Sequence, residues 1–121
     1  NKDIKIFSDG KPTRSYCYIS DAVTAYFLAL VYNKFDIFNV GNDEEEITVK
    51  NLTMNYVNIA RKILNYNGKV YFKKSADPEY LTNNPNRRCP NILKAKKKLN
   101  FNPEVDLQEG IAKYLQYNYF K

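Results

Sequence analysis

The spacing of apolar positions changes several times along the chain, and each change predicts an element. Ile4 and Phe7 flank a short extended piece that ends in a turn at Asp9-Gly10-Lys11-Pro12. Tyr16, Tyr18 and Ile19 are aromatic or β-branched and predict a strand. Ser20 or Asp21 is then placed to cap a helix that runs to about Tyr32. The run from Ala22 to Val31 leaves that helix almost no polar face. A helix apolar all round has to be covered on most sides.

A second strand is predicted at about Asp36 to Val40, ending at Gly41-Asn42 and an acidic turn from Asp43 to Glu46. Thr48 can cap a long amphipathic helix, because Val49, Leu52, Tyr56, Ile59, Ala60 and Ile63 recur at 3.6-residue spacing. Gly68 closes a turn into a strand, Val70-Tyr71-Phe72. Ser75 to Arg88 has no periodicity and contains two prolines, as a binding loop would. Pro90 and Asn91 open a short helix with Ile92, Ala95 and Leu99 inward, and Asn100 to Pro103 stops it. Asp106 and Glu109 have capping-box spacing for a last helix that buries Ile111 and Leu115.

The expected fold class is α/β, with three or four short strands and four helices. So few strands make a poor free-standing sheet, and the first helix would keep a bare apolar face. The pattern implies a missing partner, either another domain or a second copy of the chain. The first residues are Asn1-Lys2-Asp3 and the one methionine is Met54, so the chain is expected to begin part-way through a longer protein.

Composition narrows the chemistry. The 121 residues fit one small domain, 1–121, with no internal repeat, linker or low-complexity tract. With no histidine, a Ser-His-Asp triad, a histidine base and a histidine metal site are excluded. Cys17 and Cys89 are too few for a structural zinc site or a disulfide framework. The four glycines lie far apart and make neither a P-loop nor a G-x-G-x-x-G loop, so no cofactor-binding residue is assigned. No apolar stretch is long enough to span a bilayer and no signal peptide is evident, so the chain reads as cytoplasmic with no membrane partner.

The charge balance, 19 Lys and Arg against 13 Asp and Glu, suits an anionic ligand. One reading is nucleic acid, resting on Lys94, Lys96, Lys97 and Lys98. With Ile92, Ala95 and Leu99 inward, those lysines spread over the outer helix surface without interleaved aromatics, which is how a solvated face looks. The other reading is a diphosphate held by arginines. Arg14 and Arg88 stand apart from the lysine run at element boundaries, and a guanidinium fork pairs with phosphate oxygens at two points.

Other patterns carry less. Tyr117-x-x-x-Lys121 matches a dehydrogenase catalytic pair by spacing but sits at the end of the chain, where coincidence explains it. Asp43 to Glu46 lacks calcium-loop spacing and reads as a solvated turn, with no metal assigned. Cys17 reads as core, and Cys89 beside Arg87 and Arg88 as a somewhat activated thiol without catalysis.

Five blocks in order carry a family resemblance. They are Thr13 to Asp21, Phe38 to Asn42, Asn84 to Ile92, Lys94-Ala95, and Leu99 to Pro103 followed by Leu107 to Gly110. Together they resemble the C-terminal, substrate-binding part of extended short-chain dehydrogenases acting on nucleotide sugars. This is the NAD-dependent epimerase/dehydratase family, and its UDP-glucuronate decarboxylase branch is most similar.

The resemblance implies that a Rossmann domain, carrying the NAD loop and the catalytic Tyr-x-x-x-Lys, belongs to a missing N-terminal part and is absent here. It also implies that the apolar helix and the strand ending Asn39-Val40-Gly41 pack onto that domain. Arg14 matches the arginine that contacts the substrate diphosphate. Arg88 matches the arginine ending the loop over the nucleotide sugar, with an auxiliary role in proton transfer or carboxylate handling in the decarboxylase branch. Tyr80 falls where some relatives place a substrate-contacting tyrosine. Asn91, Asn100 and Phe101 depart from the usual Asp, Gly and Trp, and read as structural. The implied partner is a nucleotide diphosphate sugar; a nucleic-acid module and self-association through the bare helix remain the alternatives.

Overall fold

The computed structural model describes residues 2–73, 75–77, 79–82 and 84–119, the side chain of Leu81 excepted. Among the described residues, five short strands and five helices follow one another. They are β1 (Ile4–Ile6), β2 (Thr13–Ser15), α1 (Ile19–Leu30), β3 (Glu46–Thr48), α2 (Val49–Leu64), β4 (Val70–Phe72), α3 (Glu79–Thr82), β5 (Arg87–Arg88), α4 (Leu93–Leu99) and α5 (Leu107–Tyr119). Four helices of two turns or more were expected; the one-turn α3 lies in the segment expected to be irregular.

The strands form two small sheets. β1 pairs in parallel with β4, Ile4 opposite Val70. In the other sheet β2 is central, antiparallel to β3 and parallel to β5. The turn between β1 and β2 needs Gly10, whose φ is 74°, and a Cβ there would lie 2.9 Å from the Lys50 Cβ. That approach lets the Lys50 N–H donate to the Gly10 carbonyl at 3.0 Å, seating the turn on the start of α2.

Two apolar clusters hold the helices. α1 packs on α4 through Ala25, Ile92, Ala95, Leu99 and Phe101. α2 packs on α5 through Ala60, Ile111 and Leu115. Thr48 caps α2 as its position predicts, its Oγ1 accepting from the Asn51 N–H at 3.1 Å. Asp106 Oδ1 accepts from the Glu109 N–H at 2.8 Å and starts α5. Asn91 Oδ1 accepts from the Leu93 N–H at 3.0 Å, and Asn100 ends α4 with φ 53°, so both asparagines are structural.

Three expectations are corrected. The predicted strand over Tyr16 to Ile19 is displaced to Thr13–Ser15, and Ile19 is already helical. The partners decide this, because β3 and β5 reach only as far as residues 13–15. The predicted strand over Asp36 to Val40 is not formed, since no described strand runs beside it. There Phe38 turns inward to meet Tyr32 edge to face at 5.3 Å, and Asp36 is held by Lys94 and Lys98.

Asp21 does not cap its own helix. Its carboxylate is buried, 6% exposed, and accepts from the Glu104 and Val105 N–H groups at 3.2 and 3.1 Å. This ties the start of α1 to the segment entering α5. The opposite face of α1 is bare: Ile19, Val23, Tyr26, Phe27 and Leu30 are 40–78% exposed and recur at helical spacing.

Candidate functional site

The site grows from the three-stranded sheet. Side chains alternate across a strand, and register partners share a face. Thr13 pairs with Thr48 and Arg87, and Ser15 with Glu46, which puts these residues on one face. Arg14 pairs with Ile47 and with Arg88, which puts the two arginines together on the other. The sheet therefore brings together the two arginines singled out in the sequence, from opposite ends of the loop that separates them.

Their surroundings differ. The Arg14 guanidinium is half-buried, donating to Asn84 Oδ1 and, at 2.7 Å, to the Thr13 carbonyl oxygen. Its charge is felt by the Tyr16 hydroxyl, which burial raises above the ordinary tyrosine value while Arg14 pulls it back. Arg88 is exposed and has no ion-pair partner among the described residues. Arg87, its neighbour, is committed to Glu46: Nε and Nη2 both donate to Oε2, at 3.0 and 2.8 Å. Glu46 is held below the ordinary carboxylate value by the Thr13 hydroxyl first and by Arg87 second. One arginine of the pair is thus neutralised and the other is left for a ligand.

Arg88 lines a cavity of about 580 Å³ with Ser15, Cys17, Asn42, Cys89 and Pro90. Gly41 shapes its wall, because a Cβ there would lie 2.6 Å from Pro90 Cγ, and only a glycine lets the two segments touch. The Asn42 carbonyl accepts from the Ser15 hydroxyl, and Asn39 Nδ2 donates to the Asn91 carbonyl at 3.3 Å. These bonds fix the 39–42 segment beside β2 and β5. A convergent cationic group in a polar concavity of this size suits an anion larger than a single phosphate.

Tyr80 is not in the Arg88 cavity. It stands on α3 beside a separate hollow of about 300 Å³ with Asp77, Glu79 and Asn84. Asn84, which accepts from Arg14, borders that hollow. The sequence reading missed Asn84, Asn42 and the Arg87–Glu46 pair. The adjacent Arg87 and Arg88 were distinguishable only by strand alternation, and a two-residue strand carries no periodicity.

Three of the four lysines of α4 are also committed. Lys94 and Lys98 both bind the Asp36 carboxylate, and Lys96 binds Asp43 and Glu44 at 2.8 and 3.3 Å. Asp43, Glu44 and Glu46 are therefore ion-pair partners, of Lys96, Lys96 and Arg87, instead of parts of a solvated turn. Tyr117 lies on α5, while Lys121 of the Tyr-x-x-x-Lys match lies outside the described residues. No group of three or more Cys, Asp or Glu side chains is arranged to hold a metal ion among the described residues. No helix among them is long and apolar enough to cross a membrane.

Comparison with known proteins gives the chain its family. The family model for GDP-mannose 4,6 dehydratase matches residues 1–114. UDP-glucuronic acid decarboxylase 1 of Arabidopsis thaliana is 30% identical over 108 residues, which are 89% of this chain and 22% of that protein. UDP-glucose 4-epimerase of Thermotoga maritima, solved with UDP-glucose, superposes with a TM-score of 0.78 at 27% identity, over 98% of this chain and 35% of its own. UDP-glucuronic acid 4-epimerase of Bacillus cereus, solved with UDP-glucuronic acid and NAD, gives 0.73 at 25%, over 97% and 36%. The chain thus spans between 22% and 36% of the length of these three proteins.

Proposed function

Because this chain belongs to the GDP-mannose 4,6 dehydratase family, among the NAD-dependent epimerases and dehydratases of nucleotide sugars, we propose that it is the substrate-binding part of such an enzyme and grips the diphosphate of a nucleotide sugar. The observation that carries the reading is the register pairing of Arg14 with Arg88, which brings two arginines together on neighbouring strands, with Arg88 lining a 580 Å³ cavity. Arg88 supplies the fork that closes on phosphate oxygens, and Arg14, steadied by Asn84, supplies fixed positive charge beside it. Tyr80 stands at the flank, where a sugar ring extending past Asn84 would meet it.

The residues present do not fit NAD. Gly41 is closed over by Pro90, and no glycine-rich turn joins a strand to a helix among the described residues. In this reading the cofactor, the base and the hydride chemistry belong to a Rossmann part outside this chain. The chain by itself binds without turnover, and the complete protein acts on a 4-keto sugar by epimerisation, elimination or decarboxylation. The bare stripe of α1 is the surface such a part would cover, and the protein works in the cytoplasm.

The test is calorimetric titration of the complete protein with UDP, UDP-glucuronate and UMP. Tighter binding of the two diphosphates than of UMP, lost when Arg88 is replaced, supports the reading. Equal binding of all three, or none, sinks it. The same titration with single-stranded DNA at two salt concentrations addresses the nucleic-acid reading, which the commitment of Lys94, Lys96 and Lys98 to carboxylates disfavours.

A further inference from the structure

The grip on a diphosphate leaves two groups of the Arg88 cavity unused, the thiols of Cys17 and Cys89. Both line the cavity, and both are free and half-buried. Both stand at the exits of adjacent strands. Arg14 pairs with Arg88 on the adjacent parallel strands, Cys89 follows Arg88 at the exit of β5, and Cys17 stands two residues past the end of β2. Ser15, Cys17, Arg87 and Cys89 all border the cavity. Residues 16–18 and 89–90 belong to no strand, so no ladder hydrogen bond resists their approach.

We propose that Cys17 and Cys89 form a two-thiol modification site, which a low-molecular-weight disulfide such as oxidised glutathione converts to an intramolecular disulfide across the Arg88 cavity. The Cys89 thiolate attacks one sulfur of the reagent, forms a mixed disulfide and releases one reduced thiol. Cys17 Sγ then loses its proton to water, attacks the Cys89 sulfur and displaces the second reduced thiol. The protein loses two electrons and two protons, and one reagent disulfide becomes two thiols. The order follows from the surroundings: burial first, and the Asp21 carboxylate second, raise the Cys17 thiol, so Cys17 attacks last. The product ties the exit of β2 to the exit of β5 and narrows the space in front of Arg88. The pairing of the thiols stands on its own geometry; only its effect on ligand binding rests on the diphosphate reading.

The experiment treats the complete protein with oxidised glutathione and maps its peptides without reduction. The expected result is a peptide pair joined through Cys17 and Cys89 that dithiothreitol separates, and, in Cys17→Ser, a lasting glutathione adduct on Cys89. Glutathione retained on both cysteines of the unaltered protein, no reaction at either, or either joined to a different cysteine would overturn the proposal. A parallel arm adds saturating UDP, which is expected to slow the cross-link several-fold. A cross-link that forms at an unchanged rate with UDP leaves the thiol pair standing and removes the diphosphate from this cavity.

Discussion

Arg14 and Arg88 are register partners on the adjacent parallel strands β2 and β5, and only one of them is held by the protein. Arg14 is fixed by Asn84 and the Thr13 carbonyl, whereas Arg88 projects from a two-residue strand into the mouth of a cavity. In the proposed function the pair divides its work, with one guanidinium giving fixed field and the other closing on ligand.

Replacing Arg88 by Ala in the complete protein is expected to weaken UDP binding by about 1.5–3 kcal/mol, the usual worth of hydrogen bonds to a charged group. Arg88→Lys should recover part of this, because an ammonium supplies charge without the fork. Calorimetry reads both, and unchanged affinity in Arg88→Ala would show that the arginine faces no phosphate. Arg14→Ala should lose affinity and also lower the melting temperature, since it leaves Asn84 without its donor.

Gly41→Ala places a methyl 2.6 Å from Pro90 Cγ, well inside van der Waals contact. The 39–42 segment and the proline have to separate, at a cost of about 1–3 kcal/mol typical of overpacking. Chemical denaturation should show this loss, together with weaker UDP binding, because the displaced wall belongs to the Arg88 cavity. An unchanged midpoint would mean that the two segments move apart freely.

Asp21→Ala removes the acceptor for two backbone N–H groups at 104 and 105. The expected loss is about 1–3 kcal/mol, as for other orphaned donors. Hydrogen exchange should localise it, with protection falling at the entry to α5 and at the first turn of α1 before it falls elsewhere.

Asp36 gives the acid limb of stability. Hydrogen bonds from Lys94 first, then Lys98, hold its carboxyl well below the ordinary value of 3.8. A depressed carboxyl stabilises the folded state fully above its unfolded pKa and loses that contribution as pH falls through the folded one. The effect is therefore present at neutral pH and fades only below pH 3.8. Asp36→Asn should flatten the pH dependence of the melting temperature in that acid window and leave its shape above pH 5 unaltered.

The exposed stripe of α1 predicts behaviour of the 121-residue chain expressed alone. Contiguous apolar surface on Tyr26, Phe27 and Leu30 should drive concentration-dependent association in sedimentation. Phe27→Glu with Leu30→Glu should restore a monomer while changing stability by less than about 0.5 kcal/mol each, as for exposed positions. A chain that stays monomeric at high concentration before substitution would show that the stripe is not adhesive.

Local physics made much of this protein legible from its sequence. The 3.6-residue spacing of α2, the Thr48 cap, the left-handed Asn100 and the turn at Gly10 depend on residues a few positions apart, and each stands where the pattern put it. The bare face of α1 followed likewise from an absence of polar positions. Order and spacing of the Arg14 and Arg88 blocks also carried the family.

Tertiary structure decided what depends on distant partners. A three-residue strand has almost no pattern of its own, so β2 lies at Thr13–Ser15 because β3 and β5 reach only there. Segment 36–40 reads as a strand by composition yet has no described neighbour to pair with, so its apolar residues serve packing instead. Asp21 looked like a cap for its own helix and instead closes a contact with residues 104 and 105. Which of Arg87 and Arg88 was free for a ligand turned on Glu46, placed opposite by the sheet register. Periodicity reports which face of an element is buried, and only the assembled chain determines what each charged group meets there.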